Sequence, residues 1–292
     1  MQLELLNISK SYNSRNVLKN VNITFTKGIT GILGLNGSGK STLLKILSGF
    51  VYKDSGEVLL NGRSVDLQSS LWKMEFGYLP QMPPFYERMN LIEFLDYILL
   101  VSNCKNKEER ELRIRRIIEK FNLESFTNLP IGNLSGGIRQ RVAIAHSIIH
   151  NPNIFLLDEP INNLDIEGRI ALHNYLLENI SDKIILYVGH AFEEMNELCS
   201  RVAIVDKSEI VFYDSPAVLI NKYNGSIKEA ALSSYEYSTI SKLNIKVLTV
   251  SSLNSLYVIR YHANSFDPLN GKVVNPTLRD AFQCLINYYS NN

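Results

Sequence analysis

The stretch Gly34-Leu35-Asn36-Gly37-Ser38-Gly39-Lys40-Ser41 decides how this chain is read. It fits G-x-x-x-x-G-K-[ST], the spacing of a phosphate-binding loop. Gly34, Gly37 and Gly39 let the backbone turn and bring its N–H groups close to an anion, Lys40 reaches terminal phosphates, and the Ser41 hydroxyl can ligate Mg²⁺. The flanks agree with the loop. Thr30–Leu33 reads as a short buried strand, and Leu43, Leu44, Ile46 and Leu47 recur at helical spacing, so a bound anion would lie at a helix N-terminus. Average composition produces such a match in roughly one chain of this length in a hundred.

The chain has 292 residues, 45% of them hydrophobic, enough for a large α/β domain plus an appendage. A net charge of +1 offers no basic face of the kind nucleic acid requires, so no nucleic-acid partner is expected. Cys104, Cys199 and Cys284 are widely separated and lack metal-ligand spacing, which fits a reduced, cytoplasmic compartment. The N-terminus, Met1-Gln-Leu-Glu-Leu-Leu-Asn7, reads as an alternating strand and not as a signal peptide. The most tempting membrane segment, Leu91–Val101, is short and contains Glu93 and Asp96. A spanning helix needs about 20 mostly apolar residues, so any membrane part is expected on another chain.

In order, Leu3–Ile8 and Val21–Phe25 read as strands joined by a polar loop from Ser9 to Asn16 that carries Tyr12, whose ring can stack on a base. Gly56–Leu60 followed by Asn61-Gly62 reads as a hairpin. Met74–Leu79 reads as a strand that ends at Pro80-Gln81, before a loop broken by Pro83 and Pro84. From Leu91 to about Asn128 the period is helical, with one stripe of Leu91, Phe94, Leu95, Ile98 and Leu99 and another of Ile114, Ile117, Ile118 and Phe121. The charges between Lys105 and Lys120 are mixed in sign, as on a solvated helix face. Ser135 is an N-cap candidate for a helix opened by Gly136 and Gly137, which leave room for a close-approaching anion.

Ile154-Phe-Leu-Leu-Asp-Glu159 is a continuous apolar run typical of a buried parallel strand, ending in two carboxylates. Consecutive strand residues face opposite ways, so the two should have different duties. Asp158 is assigned to the Mg²⁺ shell and Glu159 to orienting or deprotonating an attacking water. A helix over Gly168–Asn179, a buried strand Ile184–Val188 and Gly189-His190 follow, placing His190 just past a strand end. His146, His150, His173 and His262 lack motif context and read as structural. Strands Val202–Val205 and Glu209–Tyr213 flank a turn at Lys207-Ser208. Beyond Lys222 the composition shifts to Ser, Asn and Tyr. There, strands Ile245–Val250 and Leu256–Tyr261 precede a helix starting at Thr277, with Asp280 as capping partner and a stripe of Leu278, Ala281, Phe282, Leu285, Ile286 and Tyr289.

Taken together, roughly residues 2 to 220 resemble an ATP-binding cassette nucleotide-binding domain, seven motifs standing in the family's order. Tyr12 matches the adenine-stacking aromatic, and Gly34–Thr42 the Walker A loop, which makes Asn36, Gly37, Ser38, Gly39, Lys40, Ser41 and Thr42 nucleotide ligands. Gln81 matches the Q-loop glutamine, a metal and catalytic residue. Leu134–Arg141 match the signature, with Ser135, Gly136 and Gly137 on phosphate. Ile154–Glu159 match Walker B and the catalytic glutamate, Asn162–Asp165 the D-loop, and His190 the switch histidine. Ile138, Asn162-Asn163 and Gly189 depart from the usual residues at their positions.

The resemblance implies an α/β fold: a P-loop NTPase core with an antiparallel β subdomain, a helical insertion over about residues 88–150, and a small C-terminal α+β extension over 223–292. It implies ATP and Mg²⁺ as cofactors and a dimer, of this chain or with a related ATPase, in which one Walker A loop faces the other signature. Val274-Asn-Pro-Thr-Leu-Arg-Asp-Ala-Phe282 is similar to the P-S-L-E-D-x-F stretch of bacterial exporter ATPases, with Arg279 in place of an acid. The expectation is therefore an ATPase subunit docked, on the inner face of the membrane, to a separately encoded permease. The alternative is a soluble cassette of the iron–sulfur-assembly type.

Overall fold

The computed structural model describes residues 1–243, 245–263 and 267–290. The chain divides into two compact units, one of Met1–His190 with Leu198–Tyr213, the other of Ala191–Glu197 with Asp214–Asn292.

In the first unit, β1 (Gln2–Tyr12) and β2 (Arg15–Thr26) form a long hairpin. Its turn is Asn13-Ser14, with φ of 47° and 65°, the left-handed geometry of a two-residue type I′ turn. The polar loop expected over Ser9–Asn16 is thus mostly strand, and Tyr12 stands at the end of β1 opposite Arg15. The polar residues support the ladder: Ser9 Oγ donates to Asn20 Oδ1 at 3.2 Å and Ser11 Oγ to Asn16 Oδ1 at 2.8 Å.

Next come β3 (Gly28–Gly34), buried throughout, and α1 (Lys40–Leu47). The strands β4 (Ser55–Leu60) and β5 (Arg63–Ser64) turn at Asn61-Gly62 with φ of 51° and 74°, as expected. They complete a sheet of order β2-β1-β4-β5. A short helix missed by the periodicity, α2 (Ser70–Glu75), precedes β6 (Phe76–Leu79), so Met74 and Glu75 are helical rather than extended. Ser69 caps it by accepting the Trp72 N–H at 3.1 Å, and the buried Trp72 donates Nε1–H to Leu47 O at 2.7 Å.

The helical stretch consists of α3 (Leu91–Val101), α4 (Lys107–Lys120) and α5 (Gly136–Ile148). Both expected stripes are buried, apart from the half-buried Ile98. An added Cβ at Gly77 would lie 1.8 Å from Ser147 O, so the glycine lets α5 approach β6 backbone to backbone. The remaining elements of this unit are β7 (Ile154–Asp158), α6 (Ile166–Asn179), β8 (Ile184–Val188), β9 (Arg201–Asp206) and β10 (Glu209–Asp214). They give a second sheet of order β10-β9-β3-β8-β7-β6, in which β6, β7, β8, β3 and β9 run parallel. Leu43, Leu44, Ile46 and Leu47 of α1 share one core with Leu3, Leu5 and Phe25 of one sheet and Ile32, Leu156 and Leu186 of the other. That core holds the loop before α1 at the C-terminal edge of the parallel strands, where ligands of open α/β sheets bind.

The second unit contains α7 (Phe192–Leu198, except its last residue), α8 (Pro216–Asn221), β11 (Ile227–Leu232), α9 (Ser234–Thr239), β12 (Lys246–Leu253), β13 (Leu256–His262), β14 (Lys272–Val273) and α10 (Leu278–Ser290). Its antiparallel sheet has the order β12-β13-β11-β14. The sequence reading anticipates β12, β13 and α10. It misses β11, whose Lys-Glu-Ala-Ala interior gives little alternation although Ile227 and Leu232 are buried. Along α10, Leu278, Ala281, Phe282, Leu285 and Ile286 are buried as expected; the side chain of Tyr289 lies outside the described residues.

Candidate functional site: a nucleotide cleft

The loop between β3 and α1 brings its residues to a cleft of about 690 Å³, lined by Tyr12, Arg15, Val17, Asn36, Gly37, Gly39, Lys40, Ser41, Thr42, Gln81, Glu159 and His190. The volume falls within the usual range for small-molecule sites. Gly39 has φ of 111°, and a Cβ there would meet Val17 O at 2.5 Å, so this position needs glycine on two counts. Ser38 Oγ is buried and has no hydrogen-bond partner among the described residues, an orphan that a phosphate oxygen would satisfy.

Lys40 donates from Nζ to Gly34 O at 2.8 Å and Leu35 O at 3.0 Å, folding its ammonium back over its own loop. Burial pulls its pKa below the usual lysine value, while the charges of Glu159 and Asp158 push the other way. Beside it, Ser41 Oγ donates to Asp158 Oδ1 at 3.1 Å. Asp158 ends β7 only 2% exposed, and its pKa is raised, first by burial and further by Glu159, against the lowering effect of the Ser41 bond, Lys45 and Lys40. A buried carboxylate short of positive charge beside a hydroxyl is a donor pair that suits Mg²⁺. Among the described residues no group of three or more His, Cys, Asp or Glu gathers around a metal.

Asp158 and Glu159 do separate, though strand alternation is not the reason. The strand ends at Asp158, and Glu159 takes φ of +53°, a left-handed conformation that costs a side-chain-bearing residue of order 1 kcal/mol or more. This turn puts the Glu159 carboxylate in the cleft. Oε2 accepts from Gln81 Nε2 at 3.1 Å and from Asn162 Nδ2, and Oε1 lies 3.1 Å from His190 Nε2. The peptide is fixed on either side: Glu159 N–H donates to Val188 O at 2.9 Å and Gln140 Nε2 to Pro160 O at 3.1 Å.

Ser135, Gly136 and Gly137 line none of this cleft. Ser135 caps α5 through the Ile138 N–H at 3.5 Å, as the sequence suggests. Around Gly136 an added Cβ would find open space, and beside Gly137 it would meet Asn163 O at 3.2 Å. Three residues escape the sequence reading as site components. Arg15 enters through its register with Tyr12, a consequence of the Asn13-Ser14 turn. Asn162 holds the Glu159 carboxylate. Arg141, 3% exposed, bonds Asp165 through Nε at 2.9 Å and through Nη2, reaches Glu167 at 3.1 Å, and donates to Phe121 O at 3.4 Å. It ties the signature helix to the loop after Glu159, and the spacing of a single arginine carries no hint of that.

A family model described as ABC transporter matches residues 18–162. The lipopolysaccharide export system ATP-binding protein LptB of Escherichia coli is 30% identical over 219 residues, covering 73% of this chain and 90% of that protein. This chain belongs to the ABC transporter family. The Nod factor export ATP-binding protein I of Sinorhizobium fredii is 31% identical over 76% of this chain and 65% of its own length. ABC transporter A family member 11 of Dictyostelium discoideum is 36% identical over 67% of this chain. The match spans only 23% of that relative. Among solved structures, the dimeric post-hydrolysis state of an ATP-binding cassette bound to ADP and Pi superimposes with a TM-score of 0.65 at 26% identity, covering 73% of this chain and 98% of that one. The fold is that of an ABC cassette, and the cassette is an ATPase.

Proposed function

We propose that this cassette is the ATP-hydrolysing subunit of an exporter, working as a dimer on a separately encoded membrane permease at the inner face of the cell membrane. The observation that carries the reading is the arrangement of Glu159, Gln81 and His190 in a cleft with Lys40, Asn162 bonding the Glu159 carboxylate, while Ser135–Gly137 stand outside it. An open surface at Gly136 suits phosphates held by the Walker A loop of a second copy or a related subunit. Residues 1–222 are assigned to this ATPase, with the helical insertion over about 88–150, and 223–292 to an accessory domain.

Tyr12 stacks the base and Arg15 stands beside it. The loop N–H groups from Asn36 to Thr42 and Lys40 hold the phosphates. Ser41 and Asp158, together with Gln81, would hold Mg²⁺, which would supply charge neutralisation to the bound phosphates. Glu159 accepts a proton from the attacking water or orients it, and His190, hydrogen-bonded to Glu159, aligns that carboxylate.

For docking, an apolar groove of about 570 Å³ lies among Phe50, Tyr78, Pro80, Pro84, Ile98 and Val101, with Phe50 74% exposed at its rim. Among the described residues no helix is long and apolar enough to cross a membrane. The export direction draws support from the names of the Sinorhizobium and Escherichia relatives and from the Pro276–Phe282 segment.

Two measurements test this. Light scattering of Glu159→Gln should show ATP-driven dimerisation that Lys40→Ala abolishes; a monomer at saturating ATP would refute the shared site. Purification from native membranes should recover an integral membrane protein in fixed stoichiometry, and repeated recovery of soluble partners alone would replace the exporter with the soluble alternative.

A further inference from the structure

Helix α4 carries charges of both signs, and part of its surface borders a cavity instead of open water. A pocket of about 570 Å³ lies between α4, the end of α5 and α6, all within the first unit. Its volume is in the usual range for small-molecule sites. It shares no lining residue with the nucleotide cleft or with the apolar groove beside Phe50.

The two helices present matching faces. Arg113, Arg116, Ile117 and Lys120 stand at i, i+3, i+4 and i+7 of α4, and Ala171, Asn174, Tyr175 and Glu178 have the same spacing on α6. At the last position of each the faces meet, where Lys120 Nζ donates to Glu178 Oε2. The other positions border the pocket, Ala171 with no more than a methyl group. Ile117, Ile148 and Ile149, all buried, give it an apolar floor.

Polar groups converge on that floor. Arg113, Arg116 and Lys120 set three cations against two carboxylates, Glu119 and Glu178. Lys120 is taken up by Glu178, and Arg113 Nη2 donates to Glu109 Oε1 at 2.6 Å. The exposed Arg116 has no acidic partner among the described residues. Tyr175 is 9% exposed, its ring packed against those of Phe121 and Phe155 with centroids 6.0 and 5.7 Å away. Its hydroxyl has no hydrogen-bond partner among the described residues. Burial, and then the charge of Glu178, raises its pKa, so at neutral pH the hydroxyl keeps a proton to donate. A buried donor without an acceptor costs free energy that a bound acceptor would recover.

We propose that this pocket binds a small organic anion: a carboxylate or sulfonate held by Arg116 and Arg113 and by the Tyr175 hydroxyl, joined to an apolar body lying on Ile117, Ile148 and Ile149. Charge decides the class. A neutral ligand would cover Arg116 without pairing it, and a cation would face three like charges. The assignment stands apart from the ATP chemistry, because none of these residues lines the nucleotide cleft.

The probe is 8-anilinonaphthalene-1-sulfonate, titrated against the full chain by fluorescence and calorimetry, with the uncharged N-phenyl-1-naphthylamine as control. The sulfonate should saturate a single site and bind more tightly than the neutral dye by on the order of tenfold, the worth of one charge-assisted contact. Arg116→Glu should weaken it about tenfold or more and erase that preference, while Arg116→Lys keeps most of the affinity. Tyr175→Phe keeps the ring and its packing and should weaken binding about threefold, the loss of one hydrogen bond. Saturating ATP should leave the dye in place, and Phe50→Ser should leave its affinity unchanged. Wild-type affinity in the Arg116→Glu, Tyr175→Phe double variant, displacement by ATP, loss of binding in Phe50→Ser or the lack of a saturable phase would each overturn the proposal. Equal affinity for the two dyes in the wild-type chain would also refute it, leaving an apolar cavity with no preference for an anion.

Discussion

Replacing Asp158 by asparagine removes one charge while keeping the shape of the side chain and an oxygen able to accept the Ser41 hydrogen bond, 3.1 Å long in the native site. Asp158 is 2% exposed, and Lys40 of the phosphate loop donates its N–H groups to Gly34 O and Leu35 O. Burial therefore dominates and raises the Asp158 pKa. At neutral pH the folded protein without nucleotide carries an ionised group that would be better solvated in the unfolded chain. Neutralising it should stabilise that state by about 1 kcal/mol, or roughly 2–4 °C in the melting midpoint of a domain this size. The gain should depend on pH with a definite sign. Above the raised folded pKa the native carboxylate bears the whole desolvation cost and Asp158→Asn shows its full advantage. As pH falls through that pKa towards the ordinary Asp value near 3.9, aspartate takes up its proton and the advantage vanishes. The same substitution should lower Mg²⁺-dependent hydrolysis roughly a hundredfold or more, since the cation contributes several kcal/mol of charge stabilisation. Differential scanning calorimetry without nucleotide at pH 7.5 and at about pH 3.5, below the ordinary Asp value, with phosphate release at saturating ATP, measures both. A midpoint unchanged or lowered at pH 7.5, or a gain independent of pH, would refute the account of a buried charge awaiting a cation.

Glu159→Gln should retain ATP binding and lose turnover on the order of a hundredfold or more in a phosphate-release assay, the scale of a general base. Lys40→Ala should weaken nucleotide affinity itself, seen by direct titration with a fluorescent ATP analogue. A Ser135→Arg substitution should leave ATP binding to the monomer intact and impair ATP-driven dimerisation in light scattering; equal loss of both would contradict a composite site. Arg141→Ala should lower stability by about 2 kcal/mol in urea unfolding. That estimate comes from lost burial and the bare Phe121 and Asn122 carbonyls, because Asp165 and Glu167 keep their access to water.

Much of the site is legible in the sequence because its motifs are local. A turn that needs glycine at Gly39, a strand that must be apolar through Leu157, and a helix that needs a cap at Ser135 each encode their geometry within a few residues. The misses share the opposite property. The Ser9–Asn16 part of the β1–β2 hairpin reads as a polar loop because its Ser and Asn side chains pair across the two strands and leave no apolar alternation to mark them. The short helices α2, α7, α8 and α9 span too few turns for a 3.6-residue period to show.

By itself the sequence determined the family and the nucleotide loop, and it named the groups proposed to do the chemistry, since hydrogen-bonding capacity and charge belong to residue types. Only the tertiary structure decided how those groups meet. The left-handed turn at Glu159 sends its carboxylate into the cleft, while burial leaves Asp158 short of counter-charge. The Pro276–Phe282 segment, readable in sequence only as a resemblance, was joined to the helix after His190 by packing between residues some ninety positions apart. Such contacts depend on where sheets and helices place side chains in space, and no local pattern carries that information.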